Sequence, residues 1–345
     1  MSAQFLASGI GGICTVARMT ATALSRHYGV GALACQDEAD HAIGRVPVRT
    51  FANDRLRFAL SNFLESRHAT HVIYDFAGTA RVHVPAPFLW RPYAVWVHGW
   101  EVWHESPPKY LRAIAGADLV LVNSAYTLRR AGKVFPAGID VRVCPLATPE
   151  DSPVAAIGPS DGPPTVMLLG RADELFAKGH DILIDVWPDV VSAVPDARLL
   201  LVGGGSALPK VRDLAAASPA RGAIEIVGFV SAEGLEACWR RASVFAMLGF
   251  AEGFGLTYVD AMRHGLPVVA STDDGGQEVN VDGVTGFNVA RSNKRRLTEI
   301  LVAFLRDRHY ATVLGASGLE RWREHFSFSV FEKRLVAATH DFLSA

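Results

Sequence analysis

Cysteine is scarce: four residues in 345, at positions 14, 35, 144 and 238, with no C-x-x-C and no histidine at zinc-ligand spacing. That scarcity excludes a disulfide framework and a zinc-finger pattern, and predicts that Cys14, Cys35, Cys144 and Cys238 are reduced packing residues. Excess charge of either sign is also missing. Thirty-four Lys and Arg stand against 35 Asp and Glu, a net charge of −1. Nothing in the chain as a whole therefore draws it to nucleic acid. No stretch approaches the roughly 18 uninterrupted apolar residues of a spanning helix. The opening residues have neither a basic n-region nor a long apolar h-region, which predicts a cytoplasmic protein. No period of about 20 to 50 residues repeats, which excludes solenoids and propellers. His68 and His71 lack the neighbouring Glu of a metalloprotease motif and read as a solvated surface pair.

What is present is half apolar, 50% of residues, with 20% charged, a balance that folds rather than stays disordered. At about 150 residues per domain the length predicts two bodies. In the second half, residues 165–169, 198–202, 224–227, 243–247 and 267–270 are short runs rich in Val, Ile and Leu. They read as parallel strands buried on both faces. Segments of helical spacing lie between them, one carrying Ile182, Leu183, Val186, Val190, Val191 and Val194, with Pro188 expected to kink or restart it. The first half repeats the alternation more faintly: Phe5-Leu6, a helix over about 16–28, then strands at 72–74, 94–97 and 119–122. This pattern predicts an α/β fold of two Rossmann-like, doubly wound parallel-sheet domains. The Pro/Gly/Ser/Asp-rich stretch 149–164 is the linker, separating a first domain over 1–150 from a second over 164–325. Ligands of open α/β sheets bind beyond the carboxyl ends of strands, so the chemistry belongs in strand-to-helix loops and in a cleft between the two domains.

One such loop follows Leu169: Gly170-Arg171-Ala172-Asp173-Glu174-Leu175-Phe176-Ala177-Lys178-Gly179. Two cations seven residues apart, opening a helix, suit a diphosphate. Local pairing of Arg171 and Lys178 with Asp173, Glu174 or Asp181 fits the pattern too. A second loop reads Glu252-Gly253-Phe254-Gly255-Leu256 and opens a helix that Gly265 and Pro267 end. Glycines there present bare amides to phosphate and sugar hydroxyls, while carboxylates accept hydrogen bonds from hydroxyls. Glu252 and Asp260 lie eight residues apart, on the order of 12 Å if helical, a span comparable with that from hexose to ribose in a sugar nucleotide. The nicotinamide fingerprint fails, because the third Gly after Gly9 and Gly11 would be Cys14, and after Gly203 and Gly205 it would be Leu208.

Taken together, these residues resemble the retaining glycosyltransferases of the family 4 type, glycosyl transferases group 1, with GT-B architecture. The likeness runs over nearly the full length. Gly11-Gly12 resembles the family's N-terminal glycine loop, and Val97-His98-Gly99 its histidine loop. Residues 117–124 resemble the strand before the first lobe's last helix. Gly170-Arg171 with Lys178-Gly179 resembles the donor-phosphate motif, and Glu252-Gly253-Phe254-Gly255-Leu256 opens the Glu-x7-Glu motif. Gly275-Gly276-Gln277-Glu278 and Asp282-Gly283-Val284-Thr285-Gly286 complete the order.

The resemblance implies a metal-independent, cofactor-free hexosyltransferase that retains anomeric configuration, its donor substrate a nucleoside-diphosphate sugar. Arg171 and Lys178 would bind and stabilise the departing diphosphate. Glu252 would hold hexose hydroxyls with the amides of Phe254, Gly255 and Leu256. Asp260 stands where the motif normally has Glu, one methylene longer, and would hold the ribose. Gly11, Gly12 and Gly170 belong to the donor-binding set, and His98 would reach donor sugar and acceptor. Residues 326–345 would form a terminal helix packing back on the first domain. Segments 179–188 and 278–283 resemble bacterial polysaccharide-assembly mannosyltransferases, which implies GDP-mannose, with UDP-hexoses left open. A sugar-nucleotide epimerase, a phosphorylase or a non-catalytic sugar-nucleotide-binding protein are the alternatives.

Four of seven tryptophans, Trp90, Trp96, Trp100 and Trp103, fall within fourteen residues around His98. Trp96 reads as core, and Trp100 and Trp103 as aromatic surfaces for a glycan or lipid-linked glycan acceptor. Residues 51–67 set Arg55, Arg57 and Arg67 among Leu56, Phe58, Leu60, Phe63 and Leu64. Two readings fit that segment: an ordinary surface helix, or peripheral contact with the inner face of a membrane.

Overall fold

Short apolar runs with few side chains able to interrupt a ladder become strands here, and the polar, helix-spaced segments between them become the connections. The computed structural model describes residues 1–7, 11–84, 91–103, 106–152, 162–174 and 176–345. Gly9, Trp90, Leu175 and most of the linker expected over 149–164 lie outside the described residues. The chain divides into two compact units, Met1–Glu150 with Ser327–Ala345, and Asp151–Phe326.

The first unit carries strands β1 (Ser2–Ala3), β2 (Ala32–Ala34), β3 (His41–Ile43), β4 (Val46–Thr50), β5 (Val72–Tyr74), β6 (Tyr93–Val97), β7 (Leu119–Val122) and β8 (Asp140–Val143). They form one sheet in the order β3-β4-β2-β1-β5-β6-β7-β8. All pairs are parallel except β3 with β4. The chain moves outward from β1 on one side, then returns to lay β5 on the other. The crevice at the carboxyl ends of β1 and β5 is thus this sheet's topological switch point. Its helices are α1 (Gly12–Ser25), α2 (Arg55–Ser66), α3 (Ala77–Ala80), α4 (Pro108–Ala115) and α5 (Ala125–Ala131).

Several expectations are corrected in this unit. The first strand is Ser2–Ala3 rather than Phe5-Leu6, because Ser2 and Ala3 register against Leu33 and Ala34 while the Leu6 amide donates to Asp37 Oδ2 at 2.9 Å. The first helix begins at Gly12 and ends at Ser25, earlier at both ends than expected. His71 is no solvated surface residue: its imidazole packs edge-on against Phe342 at 4.8 Å with both ring nitrogens buried.

Helix α2 departs from the usual amphipathic arrangement. Asp54 caps it by accepting from the Arg57 amide at 3.0 Å. Its buried residues are Phe58 and Asn62, whereas Leu56, Leu60 and Leu64 are 85%, 60% and 45% exposed. Spaced four apart, those leucines form a stripe on the face opposite the core.

The second unit carries β9 (Thr165–Leu169), β10 (Arg198–Val202), β11 (Ile224–Gly228), β12 (Val244–Met247), β13 (Val268–Ser271) and β14 (Gly286–Val289). Their order is β11-β10-β9-β12-β13-β14, parallel throughout. Its switch point is the gap between β9 and β12. The helices are α6 (His180–Ala193), α7 (Leu208–Ala217), α8 (Ala232–Arg241), α9 (Leu256–Arg263), α10 (Gly276–Val279), α11 (Lys294–Arg306) and α12 (Arg308–His325). Pro188 does not restart α6, which runs unbroken through it. Burial of Leu183, Val186, Trp187 and Val190 along one face outweighs the single backbone bond that proline removes.

The last helix, α13 (Phe328–Ser344), belongs to the first unit. It lies along α1, where Glu332 meets Arg26 and His27, and Phe331 stacks on Trp96 at 6.4 Å. The four cysteines are free and buried.

Candidate functional site

Three loops of the second unit converge at the carboxyl ends of β9, β12 and β13, and glycines let them touch. A Cβ on Gly170 would stand 2.9 Å from the Lys178 side chain, and one on Gly179 would stand 2.7 Å from the Leu248 carbonyl. Gly179 also has φ +83°, a conformation that costs other residues free energy. A Cβ on Gly275 would fall 2.3 Å from the Gly253 carbonyl. Hydrogen bonds stitch the same loops together: the Phe250 amide to the Ala177 carbonyl at 3.2 Å, and the Gly275 amide to the Glu252 carbonyl at 2.8 Å. Gly179→Ala is expected to lower stability by about 1–3 kcal/mol, read as a lower urea midpoint; an unchanged midpoint contradicts the close approach.

Within this cradle the Lys178 ammonium is ion-paired with the Glu252 carboxylate, 74 residues away in sequence. Burial is the largest influence on Lys178 and lowers its pKa, but the charge and hydrogen bond of Glu252 together with the charges of Asp274 and Asp173 leave it above the ordinary lysine value. The local partners considered for the two cations are otherwise engaged. Glu174 pairs with Lys210, Asp181 stands 3.9 Å from Arg291, and Asp173 accepts from the Ala177 amide at 3.0 Å. Arg171 is exposed and makes no ion pair among the described residues. His180, the first residue of α6, is buried and pushed down to about 4 by burial, so it adds no charge at neutral pH. Lys178 and Arg171 are thus the loop's cations.

Gly255, at φ +92°, turns the chain into α9, whose first amides belong to the segment holding Phe254, Gly255 and Leu256. Phe254 is buried against Phe326 at 5.8 Å, so its backbone rather than its ring is what this segment offers. Asp260 follows one turn along α9. Burial raises its carboxyl to about 6 against the opposing charge of Arg263, and the other charge acting on it is that of Glu236. The fold therefore brings Lys178 and Glu252 together, while Asp260 answers to a separate electrostatic neighbourhood.

Asp274, to which the sequence assigns no role, belongs to this site. It is fully buried; Oδ1 accepts from the Gly276 amide at 2.8 Å and Oδ2 lies 3.4 Å from the Tyr258 hydroxyl. Burial, then the charge of Glu252, lift its carboxyl to about 7. No signal in the sequence separates it from Asp273.

In the first unit His98 immediately follows β6. Its Nε2 lies 2.8 Å from the Asp75 carbonyl, which only accepts, so Nε2 carries a proton and Nδ1 is the acceptor of the neutral ring. The loop is held by buried Glu101, which accepts from the His98 amide at 3.1 Å, and by Asn123, which donates to the His98 carbonyl at 3.1 Å. Burial pushes the Glu101 carboxyl up, and raises Asp75, at the switch point, to about 7. The sequence reading missed both acids; the three-residue spacing of His98 and Glu101 is the signal that could have found the first. Gly11, exposed at φ +124°, precedes α1, and Gly12 is its first residue.

Trp100 is 47% exposed and available to a ligand. The expectation for Trp103 is corrected: its ring is 6% exposed, packed against Tyr126 with the Arg130 guanidinium 4.5 Å over it, leaving no face for a sugar. Trp96 is core, as expected. Among the described residues no three His, Cys, Asp or Glu side chains converge in a way that could hold a metal ion.

Comparison with known proteins gives this geometry a context. The family model described as glycosyl transferases group 1 matches residues 163–307. The chain is 30% identical over 256 residues to a Corynebacterium glutamicum protein named GDP-mannose-dependent monoacylated alpha-(1-6)-phosphatidylinositol monomannoside mannosyltransferase, covering 69% of this chain and 66% of that one. It is 32% identical over 253 residues to the Mycobacterium tuberculosis GDP-mannose-dependent alpha-(1-6)-phosphatidylinositol monomannoside mannosyltransferase, covering 66% of this chain and 64% of that one. The match thus spans about two thirds of these relatives' own length. Among solved structures, Anabaena HepE in complex with UDP and glucose superposes with TM-score 0.80 over 99% of both chains at 18% identity. Sucrose-phosphate synthase from Thermosynechococcus elongatus does so with TM-score 0.79, over 97% of this chain and 94% of that one, at 20% identity. Those likenesses show the GT-B fold of two parallel-sheet α/β domains.

Proposed function

The chain carries a glycosyl transferases group 1 domain over residues 163–307, and from that premise we propose that the protein moves a hexose from a nucleoside-diphosphate sugar to a glycan or lipid-linked glycan acceptor, with retention and without a metal. The observation that carries the reading is the Lys178–Glu252 pair at the β9/β12 switch point, with the exposed Arg171 in the same loop. Lys178 and Arg171 neutralise the charge that grows on the leaving diphosphate. Glu252 accepts from hexose hydroxyls, backbone amides over residues 254–256 take further sugar or phosphate oxygens, and Asp260 serves the ribose. The bond from hexose C1 to the phosphate oxygen breaks as a bond from C1 to the acceptor oxygen forms on the same face. The acceptor proton passes to the departing phosphate, so charge and atoms balance. His98 Nδ1, the acceptor of the neutral ring, orients a hydroxyl of sugar or acceptor. GDP-mannose is the favoured donor, on the names of the relatives; UDP-hexoses are the competing choice. Calorimetric titration with GDP-mannose, UDP-glucose and an ADP-sugar tests this, and lack of binding by all three overturns it.

A lipid-linked acceptor also accounts for α2. Among the described residues no helix is long and apolar enough to cross a membrane. The Leu56, Leu60 and Leu64 stripe, edged by exposed Arg57 and Arg67, has the composition of a helix lying on an anionic bilayer. The variant Leu56→Ser/Leu60→Ser/Leu64→Ser is expected to bind phosphatidylglycerol vesicles at least tenfold more weakly in flotation, with its melting temperature unchanged. Equal flotation of variant and parent removes the membrane role and leaves a soluble glycan as acceptor.

A further inference from the structure

Asp274 is a carboxylate enclosed by the three donor-binding loops, and no role in the proposed reaction accounts for it. A Cβ on Gly249 would stand 2.2 Å from its Oδ2 and one on Gly276 2.9 Å from its Oδ1, so only glycines leave it room. The groups facing it are few. Lys178 comes from the loop after β9, Glu252 from the loop after β12, and the Tyr258 hydroxyl from α9; α10 presents the Gly276 amide. Two carboxylates therefore act on one ammonium, Glu252 paired with it and Asp274 through its charge. With both ionised the cluster carries a net negative charge; with one neutral it is balanced. An incoming diphosphate is itself an anion and competes for Lys178.

We propose that Asp274 is a positioning residue for donor binding, whose carboxyl ties the Gly275–Gly276 turn beneath the Glu252 loop and, by being neutral or ionised, sets the charge that the donor diphosphate meets. The inference rests on the donor-site reading above and deepens it. Donor binding favours the neutral form, so the protein takes up a proton as it binds donor wherever free Asp274 is ionised. Because its carboxyl stands near 7 in the free protein, that uptake occurs above neutral pH. A nucleoside-diphosphate sugar suits the test because its diphosphate is esterified at both ends and does not itself titrate between pH 6 and 8.

The experiment is calorimetric titration of the full chain with GDP-mannose or UDP-glucose at pH 6, 7 and 8, each in two buffers of different ionisation enthalpy. Affinity is expected to fall about tenfold from pH 6 to pH 8, with uptake approaching one proton per donor at pH 8. Asp274→Asn keeps an oxygen for the Gly276 amide and removes the charge; its affinity is expected to stay flat over this range, near the parent's value at pH 6. Asp260, standing near 6, contributes at the lower edge in both proteins, so the comparison isolates Asp274. A pH slope preserved in Asp274→Asn overturns the proposal, as does a parent whose donor affinity is flat with no proton uptake. The parent's proton uptake decides the matter even where the variant does not fold. No donor binding at any pH overturns the donor reading and this inference with it, whereas donor binding without a pH slope overturns this inference alone.

Discussion

Lys178→Ala weakens donor binding by about ten- to a hundredfold, the loss of a charge-assisted contact of about 1.5–3 kcal/mol, and lowers transfer at least as far. The argument begins in the free protein, where the ammonium is held by Glu252 within reach of an arriving anion. The substitution removes the cation and leaves a partly buried carboxylate facing the incoming diphosphate, so attraction is replaced by repulsion. Folding should suffer less. The pair is about a quarter exposed, with side-chain accessibilities of 21% and 24%, and partly exposed pairs contribute about 1 kcal/mol or less. Arg171→Ala should show a smaller effect on binding and almost none on stability, since its side chain is exposed and makes no ion pair among the described residues. Calorimetry for donor affinity and circular dichroism for melting separate the two consequences. Unchanged turnover in both variants refutes the diphosphate assignment.

His98→Ala is the second large effect, and it should divide differently between the measurements. Transfer is expected to fall about a hundredfold, while affinity for the nucleoside diphosphate alone stays within about twofold. The reason is the tautomer: with Nε2 committed to the Asp75 carbonyl, the Nδ1 of the neutral ring has a lone pair for a hydroxyl. Glu101→Gln probes the same loop indirectly, because one amide oxygen still accepts from the His98 backbone. It should retain more activity than His98→Ala. A His98→Ala enzyme that turns over normally removes the residue from the reaction, whatever the fate of Lys178.

Those two residues differ in how far their roles could be read before folding. Both were legible as candidates from loop position, Lys178 beside a glycine at a helix start and His98 at the end of an apolar strand. Their partners were not. Glu252 was expected at a sugar, and only the fold brings it against Lys178. The Asp75 backbone carbonyl and the Glu101 carboxylate, which hold His98 and its loop, carry no signal in the chain. Trp100 and Trp103 read alike, yet one is exposed and the other lies beneath Arg130.

The strands divide in the same way. Residues 72–74, 119–122, 165–169 and 198–202 were read at their observed limits, since central strands covered on both faces must be continuously apolar. Interior β2 was missed because it is a run of only three residues, and the β3/β4 hairpin, β8 and β14 were missed for another reason. They lie at or near sheet edges, where one side is unpaired or wet and polar residues interrupt the pattern, as in Asp140-Val141-Arg142-Val143.

Local composition by itself determined that this chain makes two parallel α/β sheets and that its reactive loops follow their strands, because burial of strands and freedom of glycines are properties of a few adjacent residues. Which acid meets which base was decided only in three dimensions. Asp273 and Asp274 are neighbours of identical chemistry, but one is exposed and the other sealed against Gly249 and Gly276. Solvent access and the charge next door set a carboxylate's state, and both depend on residues brought in from distant parts of the chain.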